Sequence, residues 1–224
     1  MKKLIVGCPI KNDLESFKAM YESLINSVDL PFELIIIVGG GTDNETLNYL
    51  YLIENEGRVR IVNEQTKTPL EAYNKLFNLA KLEQSDLLLT QTDVLFPRLY
   101  KRDWLQIMKN VAQEETVGAV TCIGGTGISG PDYINGLEWL GGHCTYIPFR
   151  TIEKLGGYDE GFPNGFGVDI DYTYRIHLSE LKIVKINYWC DHHMMNERLH
   201  DNDEKAEEMK QESSKYFKKK WNLN

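Results

Sequence analysis

Short apolar runs punctuate the first half of the chain: LIVG (4–7), LIIIV (34–38), VRIV (59–62), LLLT (87–90) and VGAVTCI (117–123). Each is unbroken rather than alternating, and β-branched residues are frequent in them. A strand with one face in water alternates apolar and polar side chains, so an unbroken run suits a strand covered on both faces, as in a parallel sheet flanked by helices. Between the runs, Leu14, Phe17, Tyr21, Leu24, Ile25 and Val28 recur at helical spacing, as do Leu70, Tyr73, Leu76, Phe77 and Ala80. The order strand, helix, strand, helix predicts an α/β/α sandwich around a central, mostly parallel mixed sheet, Rossmann-like in its first half. In such folds ligands bind at the carboxyl ends of the strands.

At 224 residues, and with no Pro, Gly or Ser linker dividing it, the chain reads as one domain. A first part is expected over 1–97, a second over 98–200, and a helix over 201–224. The formal net charge of -8 argues against nucleic acid as a partner, because phosphate contacts need concentrated Lys and Arg. Cys8, Cys122, Cys144 and Cys190 are far apart, with no paired spacing that would grip zinc and no density of a disulfide scaffold, so reduced thiols in the cytoplasm are expected. The opening MKKLIVGCPIKND loses its apolar character by Pro9 and Lys11 and reads as a first strand, not a leader. No apolar run approaches the roughly 18 residues of a membrane span. Membrane contact, if any, is peripheral and falls to the basic, aromatic KYFKKKW near the end, for which a solvated helix end is the plainer reading.

Parallel strands would bring three segments to one sheet edge: CPIKND (8–13), GGGTDNET (39–46) and QTDV (91–94). The glycines of the second do not make a dinucleotide fingerprint, since Asn44 stands where GxGxxG needs its last glycine. Asp43 or Thr42 there suits a helix cap as well as a nucleotide contact. Asp93, at the mouth of an apolar strand, suits Mg2+ or Mn2+, which takes one or two carboxylates and fills its shell with phosphate and water. Taken alone it also suits a turn or cap. Two glycine-rich stretches follow, GGTGISGPDYINGLEWLGGH and LGGYDEGFPNGFGVDIDYTYRI, the second leading into a helix near Asp169. The first, long and irregular, is expected to shape a binding site.

Taken together, these segments resemble the family-two glycosyltransferases of the GT-A fold over nearly the whole chain. The likeness rests on Pro9 and Asn12 in PIKN, on Thr42, Asp43 and Thr46 in GTDNET, on Ala72 and Asn74 in EAYNKLF, and on QTD ending in Asp93. It continues with RTIEKLGGYDEGF, with VDID and Arg175, and with the closing YFKKKW. The resemblance implies transfer of a sugar from a nucleotide diphosphate sugar to the hydroxyl of a glycan, lipid-linked or protein acceptor, metal-dependent and with inversion. It implies Asp169 as general base. Asp93, joined by His192 or His193, would hold Mn2+ or Mg2+. Donor contacts would fall to Pro9, Ile10, Asn12 and Gly39, and to Asp43, Asn74 and Thr92. Acceptor contacts would fall to Trp139, Gly142, His143 and Asp171.

The sequence departs from the family pattern at three points. Gly39 and Gly40 stand where an acid often grips a uracil base, Gln91 and Thr92 replace the earlier acids of the metal motif, and Val168 replaces the Glu before Asp169. A degenerate carbohydrate-binding or assembly module is therefore one alternative. A sugar nucleotidyltransferase is another, although Lys11 is the one basic residue in its expected triphosphate loop.

Overall fold

A computed structural model describes residues 3–96, 102–123, 140–141, 143–192 and 203–223. Its centre is a seven-stranded sheet in the order β3-β2-β1-β4-β7-β6-β8, built from β1 (Leu4–Ile10), β2 (Glu33–Gly39), β3 (Val59–Thr66), β4 (Asp86–Thr90), β6 (Val117–Ile123), β7 (Cys144–Ile147) and β8 (Lys182–Trp189). Each apolar run in the sequence falls inside one of these strands. The pairs β1/β2, β1/β4, β2/β3 and β6/β8 are parallel, whereas β7 runs antiparallel to both of its neighbours, β4 and β6. A two-residue ribbon, β5 (Val94–Leu95) against β9 (Asp191–His192), stands apart from the large sheet.

The unbroken runs are explained by cover on both faces. Along β1, Leu4, Val6, Cys8 and Ile10 enter one apolar cluster with Phe17, Met20 and Leu24 of α1 (Leu14–Ser27) and Trp104, Leu105 and Met108 of α4 (Trp104–Val111). Ile5 and, on the neighbouring strands, Ile35, Ile37, Leu87 and Leu89 enter a second cluster on the opposite face. Its helical partners are Leu76, Phe77 and Ala80 of α3 (Pro69–Leu82), Ile152 of α5 (Phe149–Leu155), Tyr172 and Ile176 of α6 (Val168–Leu178), and Phe217 of α7 (Asp203–Trp221). Burying each such large side chain contributes about 1.5–3 kcal/mol. The result is the expected layered α/β sandwich.

Local chemistry fixes where helices begin. At the start of α3 the Thr68 hydroxyl accepts from Glu71 N at 3.1 Å, the Glu71 carboxylate accepts from Lys67 N at 2.6 Å, and Pro69 occupies the first turn. These bonds satisfy amides that the helix itself leaves open. At α2 (Asn44–Glu54) the cap is Asp43, whose carboxylate accepts from Thr46 N at 2.8 Å and from the Thr46 hydroxyl at 3.1 Å.

The last helix is tied to the rest by a buried ionic network. Asp171 has a side chain with 0% exposure, and accepts from Arg175 Nε at 2.9 Å, Lys220 Nζ at 2.7 Å and Trp221 Nε1 at 2.9 Å. Lys220 also reaches Asp159 at 2.7 Å, while Arg175 donates to the carbonyls of Leu155 and Gly157. KYFKKKW is therefore largely spent on packing α7 against α6 and the segment before it: Phe217 is buried, Lys220 and Trp221 point inward to Asp171, and Lys215 and Lys219 are its exposed residues. Among the described residues no helix is long and apolar enough to cross a membrane.

Candidate functional site

Because β1, β2 and β4 are parallel, their carboxyl ends share one edge. Side chains cross-link the loops that leave it. Asn12, at a left-handed φ of 51°, donates from Nδ2 to Gly41 O at 3.2 Å and accepts from Asp43 N at 2.7 Å through Oδ1, joining the loop after β1 to the loop after β2. Asn and Asp tolerate that backbone region better than most residues. Across the other side of β1, the Thr92 hydroxyl donates to Asp13 at 2.6 Å. Thr42 closes its turn on Gly39 O at 2.6 Å. The fit at Gly39 is tight: a Cβ would stand 3.1 Å from that of Lys11 and 3.2 Å from Ile10 O, so a side chain there would require these neighbours to give by a few tenths of an ångström.

Asp93 follows directly, half-buried where the chain leaves β4 and turns into β5. Asp93 and Asp13 both act on Cys8, whose thiol is pushed up first by burial and then by the charges of these two carboxylates. The β5/β9 ribbon brings a distant piece of chain to the same place, with His192 directly across from Val94 and Asp191 from Leu95. The backbone of one of the two candidate metal histidines thus lies one pair away from Asp93. The other, His193, lies outside the described residues, as do Trp139 and Gly142.

Asp169 approaches from the other half. It sits in the first turn of α6, half-buried, with Oδ1 accepting from Ile170 N at 2.9 Å, where the positive end of the helix dipole favours a carboxylate. It is not the cap residue, which is Gly167. Tyr73 of α3 reports that the two acids share a neighbourhood. Its phenol is pushed up mainly by burial, Gln91 hydrogen-bonds it and opposes the rise, and the charges of Cys8, Asp93 and Asp169 raise it further. Tyr158 packs edge-on to Tyr73 at 5.8 Å and is raised by burial and then by Asp169. Helical spacing marks Tyr73 as a core position, and nothing in the sequence separates it from its neighbours on α3. The charges of both carboxylates reach it.

Other residues expected at the site are occupied elsewhere. Asn74 is buried and clamps the backbone of Tyr158, donating to its carbonyl at 3.0 Å and accepting from its amide at 2.8 Å, with a weaker bond to Glu160 at 3.3 Å. Ile10 is a core side chain with 3% exposure, leaving its backbone to face the edge, whereas Pro9 is half-buried there. Asp171, expected to meet an acceptor, has no exposed surface to offer one and belongs to the ionic network under α7.

His143 has a different setting. It lies just before β7 and hydrogen-bonds the Cys122 thiol, which is also bonded by Cys144 and Cys190. Those bonds pull the Cys122 proton affinity down and, reciprocally, push that of Cys144 up. Among the described residues, Cys122, Cys144 and Cys190 form the one group whose ligand atoms all stand within 4.8 Å of one another. The three come from β6, β7 and the residue after β8, a convergence that the linear spacing hides.

No protein-family model and no curated protein sequence matches the chain. Solved structures do match in three dimensions. A mannosyltransferase from Pyrobaculum calidifontis in complex with GDP-Man and Mn2+ superposes with a TM-score of 0.66 at 18% identity, covering 85% of this chain and 56% of that one. Staphylococcus aureus TarS with UDP gives 0.64 at 13% identity over 84% and 60%, and GalNAc-T7 with UDP, GalNAc and Mn2+ gives 0.67 at 14% over 86% and 44%. These are GT-A glycosyltransferases, and this chain has the GT-A fold. It spans between 44% and 60% of the length of these three structures.

Proposed function

We propose that the protein transfers a sugar from a nucleotide diphosphate sugar to a hydroxyl acceptor, with inversion, in the crevice at the carboxyl edge of the sheet. Residues 1–97 form the donor half and residues 98–200 the acceptor half of one catalytic domain. One observation carries the reading: Asp93, where the chain leaves β4 at the carboxyl edge of the sheet, and Asp169, in the first turn of α6, come from opposite halves of the chain and are both half-buried. The structural neighbours include enzymes with GDP-Man or UDP and Mn2+ bound, which supports the donor class.

The residues fit a divalent ion in part. Asp93 offers one half-buried carboxylate with His192 on the facing ribbon. Mn2+ or Mg2+ needs little more from protein, because diphosphate oxygens and water complete the shell. When bound, such an ion neutralises charge building on the departing nucleoside diphosphate. The chain's own residues do the rest. Pro9, Asn12, Gly39, Asp43 and Thr92 line the donor side, with Asn12 and Thr92 locking the loops in place. Asp169 accepts the proton of the acceptor hydroxyl as its oxygen bonds to the anomeric carbon. The bond from that carbon to the diphosphate oxygen breaks with its electron pair leaving on the diphosphate. Tyr73 of α3 stays protonated near the two acids, its phenol raised mainly by burial.

Asp169→Asn tests the base. Transfer should fall about 100- to 10,000-fold while nucleotide binding persists, and retained turnover would remove Asp169 from the mechanism. Asp93→Ala tests the metal site by thermal shift. A nucleoside diphosphate at one hundred times its Kd with Mn2+ should raise the wild-type midpoint by roughly 5–10 °C, and the variant should lose the Mn2+-dependent part. A wild-type protein that binds sugar but never turns over any donor would indicate the binding module instead.

A further inference from the structure

Three cysteines from separate parts of the sheet meet at its carboxyl edge, where Cys144 pairs with Thr90 at the end of β4. Cys122 closes β6, Cys144 opens β7, and Cys190 follows β8. All three are buried, with exposures of 5%, 1% and 2%, and their sulfur atoms lie within 4.8 Å of one another. Zn2+ bound tetrahedrally at Zn–S of about 2.3 Å needs sulfur atoms roughly 3.8 Å apart, so small side-chain adjustments would suffice. Cys122 and Cys190 approach most closely, at 2.6 Å between sulfurs. That is longer than the about 2.05 Å of a disulfide, and the cysteines are free.

The candidate fourth ligand, His143, lies next to them but outside the group whose ligand atoms are all within 4.8 Å of one another, so it must turn inward to complete a shell. The His143 imidazole hydrogen-bonds Cys122, and it packs so closely over Gly141 that a Cβ there would come within 2.6 Å of Cε1 and 2.8 Å of Nδ1. The backbone around it is held in place. Thr145 Oγ1 donates to Gly141 O at 2.8 Å and Thr121 Oγ1 donates to Cys144 O at 3.0 Å. Packing alone would be served by any small apolar residue at these three positions. Three converging thiols with an imidazole at their side offer instead the Cys3His donor set of a structural zinc centre.

We propose that Cys122, Cys144, Cys190 and His143 bind one Zn2+ as a closed, four-coordinate structural site. Binding releases the thiol protons to solvent. With four protein ligands and no exposed sulfur, the ion has no position for substrate, so its work is mechanical: it ties the carboxyl ends of β6 and β8 to the start of β7. Cys190 also immediately precedes β9, so the same ion anchors the root of the ribbon that faces Asp93. The inference does not depend on the transferase reading.

The test is metal content and spectroscopy on the full-length chain. Protein made in zinc-supplemented medium should carry one Zn2+ per chain by elemental analysis. Refolding with Co2+ alone should give thiolate-to-cobalt charge-transfer bands in the near ultraviolet and the intense visible bands of a tetrahedral ion. Cys122→Ser and Cys190→Ser should each lose stoichiometric metal, and His143→Ala should keep the charge-transfer bands but shift the visible ones. Cys8→Ser, which changes the buried thiol outside the cluster, should leave the spectrum unchanged. As a measurement that does not require the serine variants to fold, wild-type protein also receives a mercurial titration, expected to release one Zn2+ as three thiolates react. Wild-type protein without zinc, with no tetrahedral cobalt spectrum, overturns the proposal. So does a Cys122–Cys190 disulfide found by thiol counting under denaturing, non-reducing conditions.

Discussion

Asn74 shows how much a single polar side chain holds in this fold. Both of its amide atoms bond the backbone of Tyr158, fixing the turn whose aromatic ring packs against Tyr73, Phe77 and Tyr172. Asn74→Ala would leave a buried N–H and a buried C=O without partners, at about 1–3 kcal/mol each. Unfolding in urea should show a loss of about 3 kcal/mol, and an unchanged midpoint would mean that the clamp is dispensable. Asn74 also marks where reading by resemblance reaches its limit, because the motif locates a residue without saying whether it touches ligand or scaffold. Asp171 makes the same point. An acid in a first helical turn suggests solvent or substrate, and only the arrival of Lys220 and Trp221 from the far end of the chain makes it a core residue. Asp93 was legible for a physical reason, since a carboxylate that ends an apolar strand stands out against its neighbours.

Among the elements, α7 carries a prediction of its own. Its charges run acidic to basic as the helix dipole favours, and that much is written in the local sequence. Its docking is not, because it depends on Asp171 and Asp159, which lie in other segments. Lys220→Ala removes one of the two cations that face the fully buried Asp171, and breaking a buried pair in this way costs about 3–5 kcal/mol when nothing else compensates. With Arg175 still in place, about 2–3 kcal/mol is expected by chemical denaturation, against a negligible change for Lys219→Ala on the exposed face. Equal effects of the two would mean that α7 is held by apolar packing alone. Strands β1, β2, β4 and β6 were legible because an unbroken run of apolar residues has few other fates. By contrast, β7 is four residues beside a glycine-rich stretch, too short for any periodicity, and β5 and β9 are defined only by each other.

For the molecule as a whole, the buried tyrosines set an upper limit in pH. Burial is the main cause that holds the phenols of Tyr21, Tyr73, Tyr146, Tyr158 and Tyr172 above their ordinary value, and Tyr146 is raised further by the Asp86 carboxylate that its hydroxyl meets at 2.7 Å. An unfolded phenol titrates near 10. Below that pH both states keep these protons, so the stabilisation is complete. As pH rises past about 10 only the unfolded chain can release them, and the stabilisation is lost. Alkaline titration should therefore show phenolate absorbance appearing together with loss of near-ultraviolet circular dichroism in one cooperative step. A smooth phenolate rise with the dichroism intact would contradict it. The layered architecture was legible from the alternation of runs and helical spacing, whereas the reversal at β7 was not. That reversal has a mechanical result. Every ladder bond between the leaf β3-β2-β1-β4 and the leaf β6-β8 passes through the four residues of β7, which act as the spine of an open book. Its pages share one apolar cluster on each face and cannot come loose while the binding holds, so the amides of Tyr146 and Ile147 should trade hydrogen with solvent only when the entire volume falls apart.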